Sequence, residues 1–230
     1  MSFDVIVESL PLYLSGLVTT VWLVGLALMI GLVLSVPLAV LRTSRNPLVN
    51  APVWAYTYFF RGTPLLVQLF MVYYGAGQFE AVRESVLWPL LREAWFCALL
   101  VFTLNTAAYT TEIIRGAILA TPSGEIEAAK ACGMSPALMY RRIVLPSAFR
   151  RALPAYGNEV IFMLHGSAVA SVITIVDLTG AARIVNSRYY TPYEAFLTVA
   201  VFYLALTFLI VFAFRLLEQR LHAHLRRSGA

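Results

Sequence analysis

The chain alternates between long apolar runs and short polar punctuation. No charged residue occurs in Gly16–Leu41, Gly62–Phe79, Ala94–Thr111 or Ala195–Phe214. A bilayer-spanning helix needs about 20 mostly apolar residues, and these runs are too long for the alternating strands of a barrel. The pattern predicts an all-α polytopic membrane protein. Its five transmembrane helices are expected over about 14–41, 52–77, 94–116, 152–172 and 193–216, the first long enough to tilt. Arg61-Gly62-Thr63-Pro64 interrupts the second. There is no internal repeat and no separate soluble module, so 1–230 is read as a single transmembrane domain.

Composition agrees: 60% of the 230 residues are hydrophobic and 13% charged. A formal net charge of +5 is compatible with nucleic-acid binding, but the basic residues cluster between the spans, so no nucleic-acid partner is expected. With the five spans drawn as above, 13 of the 17 Lys and Arg residues fall on one side. The positive-inside rule makes that side the cytoplasm. The N-terminus is then periplasmic, the C-terminus cytoplasmic, and the stretch 121–150 a cytoplasmic loop. The N-terminal MSFDVIVESL has no Lys or Arg and lacks the basic start of a signal peptide, so the first helix is expected to stay. Cys97 falls in a span and Cys132 in the loop, which predicts free thiols. No spacing suits a metal; His222 and His224 lie in the basic tail with Arg215, Arg220, Arg226 and Arg227, a composition suited to anionic headgroups of the bilayer.

The loop carries its own helical signals. Ser123 is expected to N-cap a helix with Glu125 and Glu127 in its first turn, near the positive dipole end. Ala128, Ala129 and Ala131 are strong helix formers, and Gly133 suits the left-handed residue that closes a helix. Ser135-Pro136 reads as a second N-cap with proline at N1. Leu138, Met139, Ile143 and Val144 give the second helix an apolar stripe, and Pro146 is expected to end it. An interfacial hairpin on the membrane is one reading. Against it, Ile126 is the one large apolar residue of the first helix, and its short side chains suit close docking to a protein.

Glu127-Ala128-Ala129, three residues, Gly133, nine residues, then Ile143-x-Leu145-Pro146 resembles the EAA motif of ABC importer permeases. FRGTPLLVQL (60–69), FTLNTAAYTTEI (102–113), GEIEAAKACG (124–133) and LPAYGNEVIFMLH (153–165) extend the likeness over nearly the whole chain. They look like polar-amino-acid importers, and most like the M-type membrane subunit of histidine/lysine/arginine/ornithine importers. The resemblance implies a type I ABC importer permease fold in the bacterial inner membrane. It implies partners as well: a cytoplasmic ABC ATPase dimer, a second permease subunit of the Q type, and a periplasmic amino-acid-binding protein. The loop would be the coupling helix gripped by the ATPase, with Glu125, Glu127, Ala128, Ala129, Gly133, Ile143, Leu145 and Pro146 as its coupling residues. ATP and Mg would belong to the ATPase. This chain has no G-x-x-x-x-G-K-[ST] loop, so it is expected to be non-catalytic and to bind no cofactor.

Polar residues within the spans are the candidates for the pathway. A carboxylate at mid-membrane depth costs about 2.5–3.5 kcal/mol on insertion scales, so Glu159 either faces the route and attracts a cationic amino acid, pairs with Arg61 or Arg115, or snorkels toward the cytoplasmic face. Asn158 and His165 are seven apart and share a face; with Glu159, and with Ser167 beyond, they are candidates to border one cavity. Arg61, Gly62, Thr63 and Pro64 form a break suited to a gate or hinge. Asn105, Thr106, Thr110, Thr111 and Glu112 either line the route or join helices. The expected cargo is a basic amino acid: arginine, ornithine, lysine or histidine. The alternatives are glutamine, glutamate or an opine, or a stand-alone channel or proton-coupled carrier. A carrier would usually show repeated halves with ionisable relays, and neither is apparent.

Overall fold

The computed structural model describes residues 3–221, so His222, His224, Arg226 and Arg227 lie outside the described residues. Helices make up the fold: α1 (Phe3–Arg42), α2 (Pro47–Gly62), α3 (Leu65–Phe70), the short α4 (Glu80–Arg83) and α5 (Trp88–Leu91), and α6 (Ala94–Leu119). Then come α7 (Ser123–Ala131), α8 (Pro136–Met139), α9 (Leu145–Gly166), α10 (Leu178–Tyr189) and α11 (Pro192–Leu221).

Three of these are single helices long and apolar enough to cross a membrane: α1, α6 and α11. A fourth candidate is the stretch 136–173 taken with α10, which follows at a bend of 48°. Thr174 marks that bend with φ +73°, a left-handed conformation costly for a β-branched residue. The expected span at 52–77 is carried by no single helix. It is α2, a break, α3, then a π turn (Met71–Gly75) and a 3-10 turn (Ala76–Gln78).

Local chemistry sets most of the ends. Asn46 caps α2 by accepting from Leu48 N at 3.0 Å, with Pro47 supplying the preset first position. Asp177 caps α10, accepting from Gly180 N at 2.8 Å. This helix falls where the expected spans leave a loop; Asp177-Leu178-Thr179-Gly180 is the signal that marks its start.

The bundle is organised on α6, the most buried helix, which packs along α1 and against α9. Gly31 of α1 allows the close approach: a Cβ there would lie 2.5 Å from Thr106 Cγ2. The core falls into three apolar clusters stacked along the bundle. One, around Leu23, Leu69 and Phe102, surrounds the broken segment. The second, around Ala39, Ile114, Ala129 and Val144, underlies α7 and α8. The third, around Tyr13, Leu178 and Val199, joins α1, α10 and α11 at the opposite end. Next to it, Tyr190 and Tyr193 of the aromatic run 188–196 are exposed. Most of α11 is exposed as well, including Val201, Leu204, Phe208 and Phe212, as expected of an apolar face that meets lipid or another subunit.

Candidate functional site: a cavity at a broken helix and a surface hairpin

The break in the second segment starts from Pro64. Its ring disfavours helical geometry in the residue before it, and Thr63 is extended at φ −118°, ψ 144°. Stopping α2 leaves its last carbonyls without backbone donors, which is costly away from water. Side chains from outside the helix serve them. Phe60 O accepts from Gln68 Nε2 at 2.9 Å and from Asn105 Nδ2 at 3.2 Å. Gln68 Nε2 also reaches Thr63 O (3.0 Å) and Thr63 Oγ1 (2.7 Å), and Gln68 Oε1 accepts from Asn105 at 3.1 Å. Tyr109 OH donates to Arg61 O at 3.3 Å. The break is therefore a built feature, held open by α3 and α6.

Beside it lies a cavity of about 590 Å³ bordered by Arg61, Thr63, Pro64, Asn105, Tyr109 and Glu159, with Phe162 and Met163 on the apolar side. Glu159 is 5% exposed and accepts from Thr106 Oγ1 at 2.9 Å. Arg61 stacks over the Tyr109 ring, 5.4 Å from its centroid. Arg61 and Glu159 border the same space without forming an ion pair. Arg115 is engaged elsewhere, on Glu112 at 3.2 Å. Glu112 also takes Arg42 Nε at 3.0 Å and Thr57 Oγ1 at 3.1 Å. It joins α1, α2 and α6 and does not border the cavity.

The expectation that Asn158 and His165 border one cavity with Glu159 is corrected. They do share a face of α9, but it turns toward α11. His165 Nε2 lies 3.1 Å from Thr207 Oγ1 and the ring meets Tyr203 edge-on. Asn158 borders a separate cavity of about 220 Å³ with Pro154, Phe214, Arg215 and Glu218. The physical reason is the roughly 100° step per helical residue, which turns Glu159 toward α6 and Asn158 away from it. Ser167 is buried and donates to Leu164 O at 2.7 Å, within its own helical segment.

The hairpin of α7 and α8 is the second candidate element. Gly133 has φ +72°. Its N–H reaches Lys130 O at 2.9 Å and Met134 N reaches Ala129 O at 3.1 Å, the paired bonds of a Schellman motif. Ser135 caps α8, accepting from Leu138 N at 3.4 Å. Three expectations change. Pro122, not Ser123, is the N-cap of α7, and no side-chain bond forms there. Pro146 does not end the second helix: a π turn over Tyr140–Val144 carries the chain from α8 into α9. The wider turn accommodates a proline that has no N–H and would clash with the carbonyl four residues back. Ala129 is 4% exposed and packs in the cluster under the hairpin, together with Ile126. It faces inward, so a partner is left Glu125, Glu127, Ala128, Gly133 and Pro146, all exposed. Ile143 and Leu145 pack half-buried on the same cluster. Cys97 is buried and Cys132 exposed, and both are free.

A family model for the binding-protein-dependent transport system inner membrane component matches residues 27–223. The chain belongs to this family. The permease is thus a membrane-embedded transport component, and its relatives agree over nearly full length. It is 48% identical over 227 residues to the nopaline transport system permease protein NocM of Agrobacterium fabrum, covering 98% of this chain and 94% of that one. It is 47% identical to the histidine/lysine/arginine/ornithine transport system permease protein HisM of Escherichia coli, covering 94% and 91%. A crystal structure of an amino acid ABC transporter with histidines superposes with a TM-score of 0.85 at 35% identity, covering 96% of this chain and 99% of that one.

Two residues of the permease that matter to these sites escape sequence reasoning. Gln68 sits inside an apolar run as a lone polar residue; its spacing from Pro64 by one helical turn is the signal that it serves the break. Arg151 reads as one more loop cation, and nothing local in the sequence marks its partners on α6.

Proposed function

We propose that this permease is one membrane subunit of an ATP-driven, binding-protein-dependent importer of basic amino acids. It crosses the bacterial inner membrane five times, with the N-terminus periplasmic and the C-terminus cytoplasmic. The broken α2–α3 segment counts as one crossing. A second permease chain of the Q type completes the pathway, and a periplasmic binding protein delivers the cargo. A cytoplasmic ATPase dimer holds the hairpin at Glu125, Glu127, Ala128, Gly133 and Pro146, and binds ATP and Mg. This chain holds no cofactor and catalyses nothing. The sequence likeness to HisM supports the cargo class.

One observation carries the reading of the pathway: Glu159 is a buried carboxylate on the wall of the 590 Å³ cavity, with Arg61 across the same space, and it forms no salt bridge among the described residues. Burying a carboxylate without a direct ion pair is costly, and an ammonium or guanidinium in the cavity offsets that cost. Arg61, Gly62, Thr63 and Pro64 form the adjacent hinge. Competition tests the cargo. In vesicles holding the assembled complex, excess arginine, lysine, ornithine or histidine is expected to suppress labelled arginine uptake, and glutamate is not. Suppression by glutamine or glutamate with none by arginine would contradict it.

A second reading is an opine importer. It is favoured by the 48% identity to NocM and the 43% identity to the octopine permease OccM of Rhizobium meliloti. Nopaline and octopine belong in the same competition series; the opine reading requires that one of them compete more strongly than arginine.

A further inference from the structure

A fork of directed bonds from one arginine ties the base of the hairpin of α7 and α8. Arg151, in the second turn of α9, donates from Nε (3.2 Å) and Nη2 (3.1 Å) to Ala117 O, from Nη2 to Thr121 Oγ1 (2.7 Å), and from Nη1 to Ser147 Oγ (2.7 Å). The backbone leaves that carbonyl open. At the end of α6, Ala120 N bonds Gly116 O and Thr121 N bonds Ile118 O, so Ala117 O is passed over and the guanidinium takes it. A cation on the last carbonyls of a helix also meets the negative end of its dipole. Thr121 is buried and is the next residue but one after α6. Ser147 lies one turn before Arg151 on the same helix and steers the fork.

We infer that Arg151 is a positioning residue for coupling: it locks the end of α6 to the start of α9, so that the hairpin between them moves both helices as one body. This rests on the coupling role proposed for the hairpin. Geometry supplies the reason. A hairpin joined to the bundle by two chain connections can swing about them unless the connections are tied to each other. Arg151 ties them across 34 residues of sequence to Ala117 and 30 to Thr121. Under the tie, Ala129, Met139 and Val144 of the hairpin pack with Ile114, Ile118, Ala148 and Ala152 of the two helices. Apolar packing alone lets helices slide, whereas a fork with directed bonds fixes their register. Both helices lead to the cavity: α6 carries Asn105 and Thr106, and α9 carries Glu159. A push on the hairpin therefore reaches Thr106 and Glu159 together.

The test uses the assembled complex in proteoliposomes, measuring ATP hydrolysis and cargo uptake on the same sample. In R151A the complex is expected to assemble and hydrolyse ATP. Uptake per ATP is expected to fall by about twofold to thirtyfold, the range for residues that carry coupling without touching ligand. R151K keeps the charge but not the fork and is expected to recover only part of the ratio. Should R151A not assemble, the T121V/S147A double variant keeps the arginine and removes two of its acceptors; it is expected to lower the same ratio. An unchanged ratio in R151A, or in T121V/S147A where that variant is needed, would overturn the inference. A merely structural role would lower yield and thermal stability and leave the ratio intact. Failure of the wild-type complex to hydrolyse ATP in response to loaded binding protein would instead overturn the importer reading itself.

Discussion

Thr106 of α6 donates to Glu159 of α9 at 2.9 Å, and the same Thr106 packs its methyl against Gly31 of α1. One small side chain thus holds a carboxylate at the cavity wall and sits where Gly31 lets two long helices come close. Removing the hydroxyl while keeping the shape isolates the first role. T106V is expected to leave the helix packing intact and lower uptake, since loss of a hydrogen bond to a charged group costs about 1.5–3 kcal/mol. Glu159→Gln removes the charge itself and is expected to reduce uptake of a cationic cargo by about tenfold or more, the scale of a lost charged contact. Labelled uptake beside complex yield checks both; normal arginine uptake in Glu159→Gln would remove Glu159 from the pathway.

Gly133 is the second point of leverage. A Cβ there would meet no neighbouring atom, but φ is +72°. Cost therefore comes from backbone conformation rather than from collision, about 1–2 kcal/mol for most L residues, with Asn tolerated better. Gly133→Asn is expected to keep more uptake than Gly133→Val. Gly133→Asp also places a new charge on the exposed surface of the hairpin, and is expected to abolish uptake while the protein still inserts. Membrane-fraction immunoblots paired with uptake assays separate the two effects. Equal uptake in all three variants would show that the turn does not matter.

The broken segment makes a stability prediction. Gln68 is 4% exposed and serves Phe60 O, Thr63 O and Thr63 Oγ1. Gln68→Leu leaves those part-buried acceptors short of donors, with a cost toward the lower end of about 1–3 kcal/mol. Its melting temperature in detergent is expected to fall. Gln68→Leu melting with the wild type would mean that the break needs no support from α3.

Glu112 offers a cleaner electrostatic test. Its side chain is 15% exposed, with Arg42 at 12% and Arg115 at 31%. Glu112→Gln strands both cations, and breaking such a pair costs up to about 3–5 kcal/mol when fully buried; partial exposure of Arg115 lowers that figure. Arg42→Gln in the same background is expected to recover part of the loss, because the pair is coupled. Strictly additive melting shifts in this cycle would contradict the hub.

Much of the architecture was readable because membrane physics writes large signals. Charge-free runs mark α1, α6 and α11, and Gly133 and Ser135-Pro136 mark the hairpin turn by residue type alone. The sequence misled where an adjoining turn or a long-range partner overrode a local rule. Pro146 reads as a stop, but a π turn absorbs it. Ala129 reads as docking surface, yet the cluster beneath claims it. Asn158 and His165 share a face as their spacing requires, but spacing does not say which neighbour that face meets. Arg151 is the extreme case, a plain loop cation by sequence with two of its acceptors, Ala117 O and Thr121 Oγ1, 34 and 30 residues away. Likewise α10 was hidden because its residues are too polar for a span, while its Asp177 cap was present throughout.

This chain is expected to conduct cargo only as part of an ATP-driven assembly that grips the hairpin. The most direct measurement reconstitutes it with the second permease chain, the ATPase and the binding protein, omitting each component in turn, and follows labelled arginine. Uptake is expected only with all four components and ATP present. Arginine uptake by this chain alone, driven by a proton gradient without ATP, would contradict the account.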